Sequence, residues 1–175
     1  MQTPIYKPLF FVLFLSVFFT SITVYSQQTV KQTCPKITGY VAIIHPIVTF
    51  NSEGTHTNFN DSYIVGLPTG INIWKSPKIG FSFEMVPFIK ATPSGSKTNN
   101  LLFHPGVLVA LGNGFTFMGR LAFETSGRYG ITPAINKVVK KNKGSSFFIA
   151  LPMPVRFGNN IAATYGLGLQ FGLAF

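Results

Sequence analysis

The segment 161–175, "IAATYGLGLQFGLAF", repeats with period two. Ile161, Ala163, Tyr165, Leu167, Leu169, Phe171, Leu173 and Phe175 fall on one side, and Ala162, Thr164, Gly166, Gly168, Gln170, Gly172 and Ala174 on the other. Successive side chains of a β-strand point to opposite faces, so the pattern predicts a strand with one bulky apolar face and one nearly empty, uncharged face. A strand of a water-soluble sandwich would turn its large residues inward and carry charge on the other side. The same alternation recurs in 78–90, where Ile79, Phe81, Phe83 and Met85 oppose Gly80, Ser82 and Glu84. It recurs in 115–124, where Phe115, Phe117, Leu121 and Phe123 oppose Thr116, Arg120, Ala122 and Glu124. In 146–157 the apolar set from Phe147 to Phe157 opposes Ala150, Pro152, Pro154 and Arg156.

Four further runs, 38–50, 63–74, 101–111 and 129–139, bring the expected strands to eight. No apolar period of 3.6 residues stands out that would mark a helix. Most of these runs are about 9 to 14 residues long, the length of a tilted strand that crosses a bilayer. Pro46, Pro68, Pro87, Pro105, Pro133, Pro152 and Pro154 fall inside them. Each lacks a ladder donor and is expected at a bulge or rim. Between strands, long polar loops at 50–62 and 91–100 alternate with tight turns at 75–78 and 112–114, as when loops and turns lie on opposite sides of a membrane. The second half departs from that order: 125–128 and 158–160 are short where long loops are due, and 140–146 is long where a tight turn is due.

Unpaired backbone groups are costly in hydrocarbon, so strands can cross a bilayer only as a closed sheet. The expected fold is therefore all-β: an eight-stranded antiparallel transmembrane β-barrel, an up-and-down meander, over 37–175. The first residues supply the compartment. "MQTPIYKP" carries one Lys and no acid, "LFFVLFLSVFF" is apolar apart from one Ser, and Val24 and Ser26 fit a cleavage site, the order of a secretory signal peptide over 1–26. The apolar run is too short for a spanning helix, which needs ~20 residues. Residues 27–36 read as a flexible lead-in, and the single Cys34 has no partner for an internal disulfide.

Composition fits a surface turned away from water. Only 10% of the 175 residues are charged, against ~25% in soluble domains, while Gly and Phe number 17 and 19. The formal net charge is +10. In an exported chain that excess excludes nucleic acid as the expected partner and points to anionic outer-membrane lipids and lipopolysaccharide phosphates. The densest basic run is Lys137, Lys140, Lys141 and Lys143, either a solvated turn or a contact to lipid phosphates. Tyr63, Trp74, Tyr129 and Tyr165 are candidates for interfacial girdles.

With its leader, strand pattern and closing "GLQFGLAF", the chain resembles the small outer-membrane β-barrels of the OmpA-transmembrane and OmpX kind. The resemblance implies that Phe171, Leu173 and Phe175 form the C-terminal signal read by the outer-membrane assembly machinery. It also implies a location in the outer membrane of a diderm bacterium.

Few residues offer chemistry. Inward placement puts Glu84, Arg120, Glu124 and Arg156 in the lumen, with His45, His104, Asn72 and Asn136 as neighbours. Charges in so narrow a barrel are expected to pair; the alternative is a polar path for small solutes. Lipid A chemistry needs a nucleophile with a base in reach, and the histidines, in "HPI", "HTN" and "HPG", lack the His-x-Ser pattern of the lipid A deacylases. His56, Ser62, Glu53 and Asp61 share only a loop. No metal-ligand spacing and no phosphate cradle is present, so no catalytic residue, metal or cofactor is expected. The expectation is a non-enzymatic barrel with a structural or surface-interaction role and exposed loops 50–62 and 91–100. A small-solute channel is the first alternative; a lipid A-modifying enzyme and an exported soluble lipocalin-like carrier follow.

Overall fold

The alternating segments form strands throughout a computed structural model that describes residues 33–59 and 62–175. The signal peptide expected at 1–26, and most of the lead-in, lie outside the described residues. The strands are β1 (Lys36–Asn51), β2 (Gly54–Thr57), β3 (Tyr63–Gly66), β4 (Thr69–Trp74), β5 (Ile79–Thr92), β6 (Gly95–Gly112), β7 (Phe115–Glu124), β8 (Tyr129–Lys141), β9 (Ser146–Pro152), β10 (Val155–Phe157) and β11 (Thr164–Ala174). β3 and β4 act as one stave, each pairing with both β1 and β5, and β9 and β10 act as another, between β8 and β11. Pro68 and Pro154 sit at the two breaks, where the missing N–H interrupts a ladder that otherwise continues.

Eight antiparallel staves therefore follow one another in chain order. The ring closes where β11 returns to β1, in register from Tyr40↔Ala174 to Phe50↔Tyr165 with a bulge between Pro46 and Val48. Gly39 and Phe175 seal the joint with reciprocal backbone hydrogen bonds of 2.9 Å. β2 folds back on the end of β1, along the edge that β3 and β4 pair with further down.

The faces are inverted relative to a soluble protein. Ile37, Val41, Ile43, Ile79, Phe81, Val107, Leu121, Phe123, Leu151 and Leu173 are exposed on the outside, whereas Ser82, Glu84, His104, Arg120, Thr132, Arg156 and Gln170 are buried inside. Water-soluble monomers rarely leave such a continuous apolar surface uncovered. Two small apolar clusters flank the polar layer along the strands. Val86, Leu102 and Ala122, with Ile44 and Phe88, lie toward one end of the lumen, and Leu108, Met118, Ala134 and Ala150, with Trp74, toward the other.

Several sequence expectations change in detail. Loop 91–100 is no open loop: β5 runs to Thr92 and β6 starts at Gly95, so the polar residues form a hairpin that extends the sheet. Its turn is tied by Thr92 Oγ1 donating to the Gly95 carbonyl at 3.0 Å. Loop 50–62 likewise begins as the β1–β2 hairpin, Val48↔Thr57 to Asn51↔Gly54. The long connection foreseen at 140–146 shrinks to a tight turn, with the Asn142 N–H donating to the Ser145 carbonyl. The last strand starts at Thr164 rather than 161, which lengthens the preceding loop. Every connection at the end of the ring that carries Lys36, called here the turn end, is thus tight: 75–78, 113–114 and 142–145. Trp74 does not join an outer girdle but packs on the inner cluster.

β10 lies close against β8 because Gly130 stands opposite Arg156; a Cβ there would overlap the Val155 carbonyl oxygen. Gly130→Ala is expected to cost about 1–3 kcal/mol by overpacking, read as a lower urea midpoint of the protein refolded in lipid vesicles. Gly144→Ala, where a Cβ meets nothing within 4 Å, is expected to leave the midpoint unchanged.

Candidate functional site

The lumen carries the chemistry, and Glu84 on β5 is its hub. Its carboxylate is 2% exposed and accepts four hydrogen bonds. Oε1 takes His104 Nδ1 at 3.0 Å and Arg120 Nη1 at 3.3 Å. Oε2 takes the Tyr40 hydroxyl at 2.9 Å and Gln170 Nε2 at 3.3 Å. Donors from β1, β6, β7 and β11 thus meet on one side chain of β5.

Glycines on neighbouring staves open the way. Tyr40 lies opposite Gly70, which in turn lies opposite Glu84, and a Cβ at Gly70 would overlap the Tyr40 ring. Arg120 pairs with Gly106, where a Cβ would press on the Arg120 Cγ. Each long side chain leans across a glycine to the strand beyond it.

Arg120 also donates through Nη2 to the Tyr40 hydroxyl at 3.0 Å and to Ser82 Oγ at 3.1 Å. The second ion pair, Arg156 Nε to Glu124 Oε1 at 2.8 Å, joins the first through Thr132. Arg156 Nη1 donates to Thr132 Oγ1 at 3.0 Å, and that hydroxyl lies 2.8 Å from His104 Nε2. A carboxylate can only accept, so His104 carries a proton on Nδ1, and the Thr132 hydroxyl is placed to donate to Nε2. Two carboxylates and two guanidiniums balance in charge, and the chain of polar groups spans the lumen.

The four lumen residues singled out from sequence, Glu84, Arg120, Glu124 and Arg156, therefore meet in one network with His104. Tyr40, Ser82, Thr132 and Gln170 were missed, because alternation marks the face of a side chain and not its reach. His45 lies elsewhere: its Nδ1 bonds the Tyr63 hydroxyl, and Phe59 stacks on Tyr63 at 5.8 Å. Asn72 and Asn136 line a separate cavity toward the turn end. Of the loop group, His56 on β2 and Ser62 line one shallow pocket, Glu53 falls in the β1–β2 turn, and Asp61 lies outside the described residues. Lys137 on β8 reaches to the β6–β7 turn, its Nζ 2.6 Å from the Asn113 carbonyl and 4.0 Å from the Phe115 ring centre. Lys140, Lys141 and Lys143 stand exposed beside the 142–145 turn.

A closed ring of eight staves, apolar outside and polar within, has the fold of a transmembrane β-barrel. No protein-family model and no curated protein matches the chain. Among solved structures it is similar to a de novo designed transmembrane β-barrel at 12% identity and a TM-score of 0.46, over 82% of this chain and 97% of the design. The designed barrel TMB2.3 gives 12% and 0.47, over 81% and 93%. A Ralstonia pickettii toluene transporter, TbuX, gives 10% and 0.34 over 65% of this chain, which spans 35% of the transporter.

Removing one member of a buried ion pair strands its partner, a loss of about 3–5 kcal/mol. Glu84→Ala is expected to lower the urea midpoint of the refolded barrel accordingly. Replacing both partners, Glu84→Met with Arg120→Met, is expected to recover part of that loss, because no lone charge then remains buried.

Proposed function

We propose that this chain is a non-enzymatic barrel of the outer membrane of a diderm bacterium, exported through a cleaved signal peptide, with a structural or surface-interaction role. The observation that supports a sealed barrel over a pore is the lumen network. Glu84 and Arg120 are 2% and 4% exposed, and an eight-stave interior is narrow enough for side chains to close it. Surface interaction fits the opposite end, where the hairpins of 50–59 and 91–100 are mostly exposed and extend beyond the shorter staves of the ring.

In this reading the turn end faces inward and the hairpins outward. Phe171, Leu173 and Phe175 serve the outer-membrane assembly machinery. Lys140, Lys141 and Lys143 meet lipid or lipopolysaccharide phosphates, while Lys137 is taken up by the neighbouring 113–114 turn. No catalytic step enters the reading, since the lumen histidine is committed to Glu84 and Thr132 within a buried network.

Single-channel recording tests it against the small-solute channel. Protein whose folding is verified by heat-modifiable gel mobility is expected to give no discrete conductance steps in planar bilayers under molar KCl. Reproducible unit steps would overturn the sealed reading in favour of transport.

A further inference from the structure

Toward the turn end the lumen is not filled. A cavity of about 280 Å³ opens there, walled by residues of seven of the eight staves and floored by Tyr40, Arg120, Phe148 and Gln170. The cause lies in the sequence: Ala110, Gly112, Gly114, Ser146 and Ala174 occupy wall positions, while Val86, Leu102, Ile44 and Phe88 pack the far end. Its size approaches the lower limit of small-molecule pockets, ~300 Å³.

The lining is sorted by chemistry. Trp74, Leu108, Met118 and Phe148 supply an apolar wall. Thr38, Thr116 and Asn136 add hydroxyl and amide groups, and Asn72 presents a buried Oδ1 with no hydrogen-bond partner. Among the described residues, Lys36 and Lys141, both exposed, are the only charged lining groups besides Arg120, whose charge faces Glu84. Among the described residues no carboxylate lines the cavity.

We infer that this one-ended cup is a binding site for a small amphiphilic carboxylate, its apolar body against Trp74, Leu108, Met118 and Phe148 and its anionic group at Lys36 and Lys141. The inference goes beyond the sealed, surface-interaction reading, because a dead-end cup binds without conducting. It would hold equally if the hairpins bound nothing. A neutral apolar ligand would leave the lysines unused, and a cation would meet two like charges at the entrance. The carboxylate satisfies both the wall and the rim.

Trp74 is the sole tryptophan of the chain and stands in the cup, so it reports occupancy directly. Bromine quenches indole fluorescence on contact. The refolded protein in non-ionic detergent is titrated with 6-bromohexanoate, with 6-bromohexanol and 6-bromohexylamine as controls of the same reach. Saturable quenching by the carboxylate is expected, with the alcohol and the amine markedly weaker. Lys36→Ala with Lys141→Ala, both at exposed strand ends, is expected to weaken the carboxylate about fivefold, the effect of two partly screened charges, with the heat-modifiable mobility retained. The proposal is overturned by equal quenching from all three compounds, which marks partition into the micelle. It is equally overturned by absent or unsaturable quenching, or by an unchanged affinity in the double variant.

Discussion

Closure of β11 onto β1 is the constraint on which the rest of the molecule depends. An open sheet would present two edges of unpaired N–H and C=O groups, each costing several kcal/mol in hydrocarbon. The ladder from Tyr40↔Ala174 to Phe50↔Tyr165 removes both. Once the ring is shut, period two has only one meaning, since alternate residues face either acyl chains or a narrow lumen. The exposed Phe81, Phe123, Leu151 and Leu173 and the buried Ser82, Gln170 and Arg156 follow from that division. Proline breaks are tolerated because stave direction survives them: β3 hands on to β4 and β9 to β10 without leaving the ring.

Inside the ring the charged groups are almost wholly buried, so the lumen is solved as one hydrogen-bonded layer. Glu84 gathers donors from four other strands. Gly70 and Gly106 are empty where Tyr40 and Arg120 must cross. The layer ties staves far apart in sequence, Tyr40 and Arg120 being 80 residues distant, and in a barrel such ties fix cross-section as well as register. The cost of burying four charges is offset only because each finds its opposite and further hydrogen-bond partners, donors for the carboxylates and acceptors for the guanidiniums.

The two ends of the lumen then take different characters. Bulky Val86, Leu102 and Phe88 close one side, while small residues leave the other open beneath a rim with Lys36 and Lys141. The remaining turn-end lysines, Lys75, Lys78, Lys140 and Lys143, surround the same mouth outside the lining set. Positive charge is densest where the connections are shortest, while the hairpin end carries Glu53 together with Lys90, Lys97 and Arg128, and the longer extensions. A barrel that is symmetric in its ladder is polarised along its axis.

What the sequence by itself determined is what period two encodes: eight crossings, which side chains face out, and which four charges share the interior. Face alternation is a local property of extended backbone, so it is legible residue by residue. The closing pair β1 and β11, the bridging of two ion pairs by Thr132, and the reach of Tyr40 across Gly70 were decided only by tertiary structure. They depend on register and stagger between strands up to 134 residues apart, Tyr40 pairing with Ala174, which no local pattern records. The same holds for the hairpin at 91–100, where polar Ser, Lys, Thr and Asn read as loop although cross-strand pairing extends β5 and β6 through them. It holds for Trp74 as well. Its aromatic ring suits an interface by composition, yet its position on β4 turns it into the lumen, because facing is set by the parity of the stave and not by the chemistry of the side chain.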